Sequence, residues 1–218
     1  MSIQPVHYYH VWAGDRYHGS AWEVPAREHF AALEAAGFDG NVRIGLLGGL
    51  TERASAIRTL KELWPEADIV VQADEGFEQV TIEVMHEWSK EAHPQTPVFY
   101  SHTKGAFQDC PMNTQWRQAM NGYLIDHWTQ WALAIRRGNY DAIGLHWLTH
   151  EQYPEYIHPL KPMFGGNFWW ARAGYLAQLE RVTGTPEFPP INRWEAEGWV
   201  GQGGPKVMDL VPGWPNYG

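Results

Sequence analysis

The sequence predicts an α/β fold in which a mostly parallel sheet is flanked by helices. Short runs of β-branched and aromatic residues alternate with segments whose apolar residues recur at helical spacing. Short links that contain glycine or proline separate these segments, as in a chain of βαβ units. Hydrophobic residues make up 44% of the 218 residues and charged residues 19%, so we expect a packed core rather than disorder.

In the first half, strands and helices alternate as they do in right-handed βαβ crossovers. The first helix begins near Pro25 and ends at Gly37, and Thr51 is the expected N-cap of the second. Strands are predicted over residues 6–12, 41–47, 68–72 and 97–101, and the third helix over residues 77–91. Because such sheets bind ligands at the carboxyl ends of their strands, residues 1–105 are interpreted as a nucleotide-binding half.

The second half begins with a long predicted helix over about residues 113–137, which Gly138 ends. Strands over 140–147 and 164–170, a loop over 150–162, a helix over about 173–182 and an edge strand over 207–211 follow. The whole chain, residues 1–218, is interpreted as one domain. Its second half covers about residues 106–201, and its tail over residues 202–218 is irregular.

Composition excludes several classes of function. The formal net charge of −9 disfavours binding to nucleic acid, whose phosphates repel such a surface, although a nucleotide-sized ligand needs only a local basic spot. No run of about 18 apolar residues predicts a membrane span. The single cysteine, Cys110, rules out a disulfide within the chain, and the N-terminus does not resemble a signal peptide, so we expect a cytoplasmic protein.

The first candidate site is the segment 100–105, Tyr-Ser-His-Thr-Lys-Gly, which follows a predicted central strand. The ammonium of Lys104 can meet an anion, and Gly105 lets backbone N–H groups approach it closely. The alternative is an ordinary turn that carries a surface lysine. Its position at a strand end favours anion binding.

The second candidate is the segment 164–170, Phe-Gly-Gly-Asn-Phe-Trp-Trp, in which an amide lies among four aromatic residues. If Asn167 is buried there, both its carbonyl oxygen and its amino group need partners. A sugar hydroxyl would satisfy them, but so would the backbone of an ordinary core strand. Residue chemistry alone leaves these two interpretations open.

Three weaker candidates carry charge. Arg193 and Glu197 would share a helical face, where Glu197 could act as a general base or simply form a surface ion pair. Arg117 could add a second positive group beside Lys104, or be solvated. Asp74 and Glu78 follow the third strand, and Glu78 is expected to cap the next helix.

Taken in order, these motifs resemble a family of bacterial and phage glycosyltransferase-like proteins that are distant relatives of the rhamnan-synthesis transferases. The specific parts are His-Thr-Lys-Gly at 102–105 and Gly-Asn-Phe-Trp-Trp-Ala at 166–171. His-Val-Trp-Ala at 10–13, Asn-x-x-Trp-Arg-x-x-Met at 113–120 and Arg-x-x-Ala-Glu-x-Trp at 193–199 add weight through their order.

The resemblance implies a GT-A-like, Rossmann-like fold and transfer of a sugar from a UDP-, GDP- or dTDP-sugar to a hydroxyl of a glycan or protein. The base and ribose would bind at Trp12 and Ala13. Carried over by position, the donor-binding residues are His102, Thr103, Lys104, Gly105 and Arg117. The wall for sugar and acceptor comprises Gly166, Asn167, Phe168, Trp169, Trp170 and Arg193.

For such a transfer we expect Lys104 to stabilise the leaving diphosphate and Glu197 to act as base, with Asp74 as the second candidate base. The chain lacks the Asp-x-Asp motif that binds the donor's metal in GT-A enzymes, so Lys104 replaces the metal, or Asp74 or His102 holds Mn²⁺ or Mg²⁺. The alternative function is a non-catalytic carbohydrate-binding or capsule-assembly protein. A glycoside hydrolase ranks last, because no carboxylate pair at a defined separation is evident.

Overall fold

The computed structural model describes residues 3–14, 21–106, 110–152, 161–182 and 194–214. Its strands are β1 (Val6–Trp12), β2 (Asn41–Leu47), β3 (Asp68–Ala73), β4 (Pro97–His102), β5 (Ala142–Gly144), β6 (Trp147–Leu148), β7 (Met163–Phe164), β8 (Trp169–Arg172) and β9 (Val207–Asp209). Its α-helices are α1 (Glu23–Ala35), α2 (Leu50–Leu63), α3 (Gln79–Glu91), α4 (Pro111–Ile125), α5 (Trp128–Arg136), α6 (Ala173–Leu176) and α7 (Trp194–Glu197), and a 3₁₀ turn covers Trp199–Gly201. No helix within these ranges is long and apolar enough to span a membrane.

A seven-stranded sheet in the order β3-β2-β1-β4-β8-β5-β9 forms the centre of the fold. Strands β1 to β4 are mutually parallel, and β1 pairs with both β2 and β4. Side chains of β1 are buried on both faces of the sheet, which is why apolar residues do not alternate strictly with polar ones along this strand. The predicted α/β class with a mostly parallel sheet is confirmed, and so is the edge strand β9, which pairs in parallel with β5.

The predicted strand over residues 164–170 is wrong, because a turn divides it. Phe164 belongs to β7, which pairs with β6 in a separate two-stranded sheet, and β8 begins only at Trp169. Gly166 and Asn167 have φ values of 84° and 56°, in the left-handed region, and the Asn167 N–H donates to the Phe164 carbonyl at 3.1 Å. Strand β8 then runs antiparallel between β4 and β5.

The predicted helix over residues 113–137 is also divided, between Ile125 and Trp128. At such a break, carbonyls lose their partners within the helix and need others. Here the indole of Trp131 donates to the Tyr123 carbonyl at 2.8 Å, and the indole of Trp170 donates to the Leu124 carbonyl at 3.0 Å. Tryptophan N–H groups from outside α4 therefore stabilise an end that helix periodicity does not predict.

Other predicted bounds also differ from the structure. Gly49, not Thr51, is the N-cap of α2, and α6 covers only four residues of the predicted helix over 173–182. The strand predicted over 140–147 ends at Gly144, and His146 has a φ of 56° that interrupts it. Most of the predicted loop over 150–162 lies outside the described residues.

Trp169 and Trp170 anchor the two cores on opposite faces of the sheet, as consecutive strand residues do. Trp169 stacks on Tyr100 with ring centroids 5.1 Å apart, on the face that packs against α3. Trp170 stacks on Phe99 at 4.9 Å, on the face that packs against α4 and α5. Both indoles are buried, so these tryptophans first serve the packing of the fold.

A buried polar network joins β1, α1, β4 and α4. The His29 Nδ1 donates to the Asn121 Oδ1 at 2.9 Å, which leaves its Nε2 to accept from the Ser101 hydroxyl at 3.2 Å. The His7 Nε2 then donates to the same hydroxyl at 2.8 Å. Burial lowers the pKa of His29 to about 4 and also lowers the pKa of His7, so both rings are neutral near pH 7.

We therefore expect the protein to lose stability on mild acidification. The folded-state pKa of His29, about 4, lies below the usual histidine value of 6.5, so the unfolded chain binds more protons between these values. Stability is then fully present above pH 6.5 and is lost as the pH falls, by about 2 kcal/mol at pH 5 for this one group. Urea unfolding at pH 7.5 and pH 5 should show a smaller loss for His29→Leu than for the wild type.

The matched control for His29 is His150→Gln, because His150 is exposed. This variant should lose as much stability between the two pH values as the wild type does. An unchanged pH dependence in His29→Leu would contradict the assignment.

Candidate functional site

The residues predicted at the carboxyl edge of the sheet meet at the ends of β1 and β4. The Thr103 N–H donates to the His10 carbonyl at 2.9 Å, and its hydroxyl accepts the Trp12 N–H at 3.1 Å. The Ala13 N–H donates to the Leu47 carbonyl of β2 at 2.7 Å, so this position also links β1 to its other neighbour. Thr103 and Ala13 therefore fix the backbone of the edge, while Trp12 is partly buried beside it.

Lys104 lies in the turn that follows, where Gly105 has a φ of 89°. Its ammonium is 3.8 Å from the ring centroid of Trp116, a residue of α4. A cation over an indole face is attracted by about 0.5–2 kcal/mol, depending on how far water is excluded. Trp116 thus fixes the position of the ammonium at this edge of the sheet.

The side chain of Arg117 contacts the same loop, but it binds a backbone carbonyl of the loop. The buried guanidinium donates from Nε to the Glu28 carboxylate at 2.8 Å and from an NH group to the Lys104 carbonyl at 3.0 Å. Direct binding of a diphosphate by Arg117 was expected from the sequence. The structure instead gives this side chain the geometry of a positioning residue, which holds the loop that carries Lys104.

The turn before β8 completes the edge. The His102 Nε2 donates to the Gly166 carbonyl at 3.0 Å, which joins the end of β4 to this turn. A Cβ on Gly166 would lie 2.6 Å from the Met120 sulfur and 3.2 Å from the Trp116 ring, so only glycine fits against α4. The ring of Trp116 therefore contacts both the Lys104 ammonium and the turn.

Asn167 is 1% exposed, yet half of its amide is unsatisfied. Its Oδ1 accepts the Trp169 indole N–H at 2.8 Å, whereas its Nδ2 has no hydrogen-bond partner among the described residues. A buried donor without a partner costs about 1–3 kcal/mol, so such a group calls for an explanation. A ligand oxygen at this position would provide one.

A second set of polar groups lies on the α3 side of the same edge. The Glu78 carboxylate is 3.7 Å from the His102 Nδ1, and the pair is ionic only when the imidazole is protonated. The Tyr100 hydroxyl is buried and, in the described part of the chain, has no hydrogen-bond partner. Burial raises the pKa of Tyr100 well above its usual value, and the negative charges of Glu78 and Glu197 raise it further. Two carboxylates therefore act electrostatically on one buried hydroxyl.

Glu78 corrects an expectation from the sequence. It occupies the N-cap position of α3 but makes no side-chain capping hydrogen bond in the described structure, and its carboxylate turns to His102 instead. Sequence reasoning missed it because an acidic residue at a helix start is usually a cap. The signal that could have found it is topological: a crossover helix begins at the carboxyl edge of the sheet, where β4 also ends.

The structure separates the other predicted site residues from this set. The Asp74 carboxylate is 76% exposed and forms an ion pair with Arg53, so it is the less suitable of the two candidate bases. Trp170 is fully buried in the core that packs against α4 and α5, and its indole N–H donates to the Leu124 carbonyl, so its surface is not available to a ligand and this part of the predicted wall is wrong. Phe168 is buried with its ring 5.2 Å from that of His102. Arg193 lies outside the described residues.

The described groups at this edge fit a metal poorly. Asp74 is paired with Arg53, and His102 is engaged by Gly166 and Glu78. Over the described ranges, the carboxylates and imidazoles here do not bring three ligand atoms within 4.8 Å of one another. We therefore derive no chemical step through a cation at this edge.

A family model matches residues 8–183, which include both the 102–105 loop and the 166–170 turn. Its description is "Domain of unknown function (DUF8361)". The chain belongs to this family. No curated protein matches the sequence. In this member of DUF8361, Glu197 lies beyond the matched residues.

Three solved structures illustrate which folds the chain is similar to. The first is Rv0371C in complex with manganese, from Mycobacterium tuberculosis H37Rv, at 18% identity, a TM-score of 0.45, and coverage of 98% of this chain and 91% of that one. The second is a putative nucleotide-diphospho-sugar transferase from Desulfovibrio desulfuricans G20, at 11% identity and a TM-score of 0.48. The match covers 97% of this chain and 81% of that one. The third is a 4-diphosphocytidyl-2C-methyl-D-erythritol synthase, at 11% identity and a TM-score of 0.39. The match covers 99% of this chain and 90% of that one.

The Arg117–Glu28 contact gives a testable prediction for this DUF8361 member. Glu28→Ala leaves a buried guanidinium without its carboxylate and should lower the free energy of unfolding by about 2–3 kcal/mol. The matched control is Glu23→Ala on the same helix, whose carboxylate lies 3.7 Å from Arg27 in a more exposed pair. That variant should change the stability by less than about 1 kcal/mol. Equal, small losses in both variants would contradict the positioning role.

Proposed function

We propose that this protein is a glycosyltransferase that moves a sugar from a nucleotide-sugar donor to a hydroxyl acceptor on a glycan or protein. The observation that carries the proposal is the meeting of the Lys104 loop with the turn of Asn167, through the His102–Gly166 hydrogen bond. A cation and an unsatisfied amide donor at one strand edge suit a ligand that combines phosphate with hydroxyl groups. A UDP-, GDP- or dTDP-sugar has this chemistry.

In this proposal the donor lies along the ends of β1 and β4. Trp12 and Ala13 would bind the base and ribose, and residues 1–105 would form the nucleotide-binding half. Lys104, in the loop secured by Thr103 and Gly105, would stabilise the negative charge that develops on the leaving diphosphate, and His102 would hold this loop against the turn at Gly166. Arg117 would act through the backbone of Lys104. The proposal does not require Mn²⁺ or Mg²⁺ at this site, and the nucleotide titrations described below compare binding with and without Mn²⁺.

The sugar and the acceptor would lie toward the second half, about residues 106–201. The Asn167 Nδ2 would donate to a sugar hydroxyl, while Gly166 lets the turn approach α4 and Phe168 and Trp169 support it. The acceptor oxygen would attack the anomeric carbon as the bond from that carbon to the diphosphate breaks. Glu197, which is 9% exposed, would take the acceptor's proton. Its burial favours it over Asp74, whose carboxylate is 76% exposed.

Lys104→Ala tests the donor site. Millimolar UDP, GDP or dTDP should raise the melting temperature of the wild type by mass action, and the panel run with and without Mn²⁺ measures any effect of the metal. Lys104→Ala should abolish that shift and reduce turnover by at least about 100-fold, as the loss of a stabilising group at a developing charge does.

The matched control for Lys104 is Lys206→Ala, because Lys206 also lies over an aromatic ring, that of Tyr140, 5.5 Å away, but at the opposite edge of the sheet. This variant should behave as the wild type in both assays. A wild type that responds to none of the three nucleotides, but binds glycans, would instead support the alternative of a non-catalytic carbohydrate-binding protein.

Glu197→Gln tests the base. The amide keeps the size of the side chain but cannot accept the proton, so turnover should fall by about 100-fold or more while the nucleotide-induced shift is kept. Glu195→Gln changes the charge of the same short helix by the same amount and should retain most of the turnover. Similar activities in the two variants would remove Glu197 from the mechanism and leave Asp74→Asn as the next variant to assay.

A further inference from the structure

We propose that Glu83, His86 and Glu87 form a binding site for a divalent transition metal, best suited to Zn²⁺, on helix α3. Residues at positions i, i+3 and i+4 share one face of a helix. One ligand atom from each of the three side chains lies within 4.8 Å of the other two. Ligand atoms about 2.1 Å from a tetrahedral zinc ion are about 3.4 Å from one another, so rotamer changes that bring these atoms together by about 1 Å would close the site.

His86 provides an observation that is independent of the two carboxylates. Its side chain is 2% exposed, and neither ring nitrogen has a hydrogen-bond partner among the residues that the structure describes. Buried imidazoles normally have at least one partner, because an unsatisfied polar atom costs about 1–3 kcal/mol. The His86 ring packs edge-on against Trp199, with centroids 5.6 Å apart, which limits its rotation toward water. A metal ion between the ring and the carboxylates would satisfy one nitrogen.

The surroundings offer an acceptor for the second ring nitrogen. Histidine ligands usually donate their other N–H to a carbonyl or carboxylate, which fixes the tautomer. The Leu179 carbonyl lies close enough to His86 to oppose the lowering of its pKa that burial and Lys90 cause. A small shift of the ring would turn this approach into a hydrogen bond. The neutral ring that this environment favours is the form that binds metals.

Two basic side chains form ion pairs with these carboxylates, and a bound metal ion would have to displace them. The Arg181 Nε is 2.9 Å from Glu83, and the Lys90 Nζ is 2.8 Å from Glu87. The side chains of these cations are 64% and 42% exposed. Exposed ion pairs of this kind contribute about 0–1 kcal/mol, so a bound divalent cation can displace them. Both basic side chains can then extend into water.

The donor set selects the metal. One imidazole and two carboxylates, with a position left for water, match four-coordinate zinc, whereas Mg²⁺ prefers six oxygen ligands. The exposed Glu87 provides an entry path from solvent. A bound ion would tie α3 to the chain around Leu179 and Trp199, two residues from Glu197. The expected role is therefore structural, and it does not depend on the proposed glycosyl transfer.

Zinc titration of the full chain, purified without a histidine tag and treated with a chelator, tests this site. Calorimetry with ZnCl₂ should give one ion per chain and a rise in melting temperature, and MgCl₂ should give neither. Glu87→Gln alters an exposed residue, so folding should be preserved, and it should weaken zinc binding at least about tenfold. Arg181→Ala removes a competing cation and should tighten binding.

Glu91→Gln, an exposed glutamate on the same helix, serves as the matched control and should bind zinc as the wild type does. Absence of saturable zinc binding in the wild type would overturn the proposal. So would an affinity in Glu87→Gln equal to that of the wild type, or a loss of affinity in Glu91→Gln as large as that in Glu87→Gln.

Discussion

The antiparallel pairing of β4 with β8 determines where the polar groups of the candidate site lie. Because Tyr100 pairs with Trp169, the chain before Trp169 must turn at the same edge at which β4 ends. The turn at Gly166 and Asn167 is thereby held against His102. The two conspicuous segments of the sequence, 100–105 and 164–170, meet for this reason and not because of any direct attraction between their side chains.

The same pairing divides the site electrostatically. On the α4 side, Lys104 brings positive charge to a loop whose backbone carbonyl Arg117 holds, while the charge of Arg117 itself is paired with Glu28. On the α3 side, Glu78 and Glu197 bring negative charge near the Tyr100 hydroxyl. Separation of this kind suits a reaction in which one end of a ligand gains negative charge and the other end loses a proton. It also shows how a chain with a net charge of −9 can keep a lysine ammonium at one edge of its sheet.

Sequence patterns predict the first half of the fold well and the second half poorly, for physical reasons. Strands β1 and β2 are rich in β-branched, aromatic and other apolar residues, and their predicted bounds agree with the structure. The break after Ile125 depends on indole donors from Trp131 and Trp170, one of which comes from a distant strand. Helix propensity and periodicity depend only on neighbouring residues and do not report such long-range partners, so the sequence predicts that the helix continues.

The candidate site shows the same limit. Lys104 and Asn167 could be singled out because a cation or an amide at a strand end is unusual for a core. Arg117 could be placed near Lys104, but only the contact with Glu28 on α1 reveals that its charge is engaged within the fold. Glu78 looks like a cap in sequence, and Trp170 looks like part of a ligand wall. Long-range partners decide both cases, because His102 lies opposite the Glu78 carboxylate and the Leu124 carbonyl accepts the Trp170 indole N–H.

Backbone geometry, more than side-chain choice, sets the precision of this edge. Gly166 has a left-handed φ and leaves no room for a Cβ beside Met120, so the turn can approach α4 only with glycine at this position. Asn167 also has a left-handed φ, which asparagine tolerates better than most residues do. Its side chain is then fixed by the Trp169 indole, so that the Nδ2 donor needs no reorganisation before it meets a ligand. Leaving this donor unsatisfied lowers the stability of the free protein. Under the proposed function, that loss of stability is what it costs to hold the donor in position before the sugar binds, as is expected of a preorganised binding site and not of a core strand.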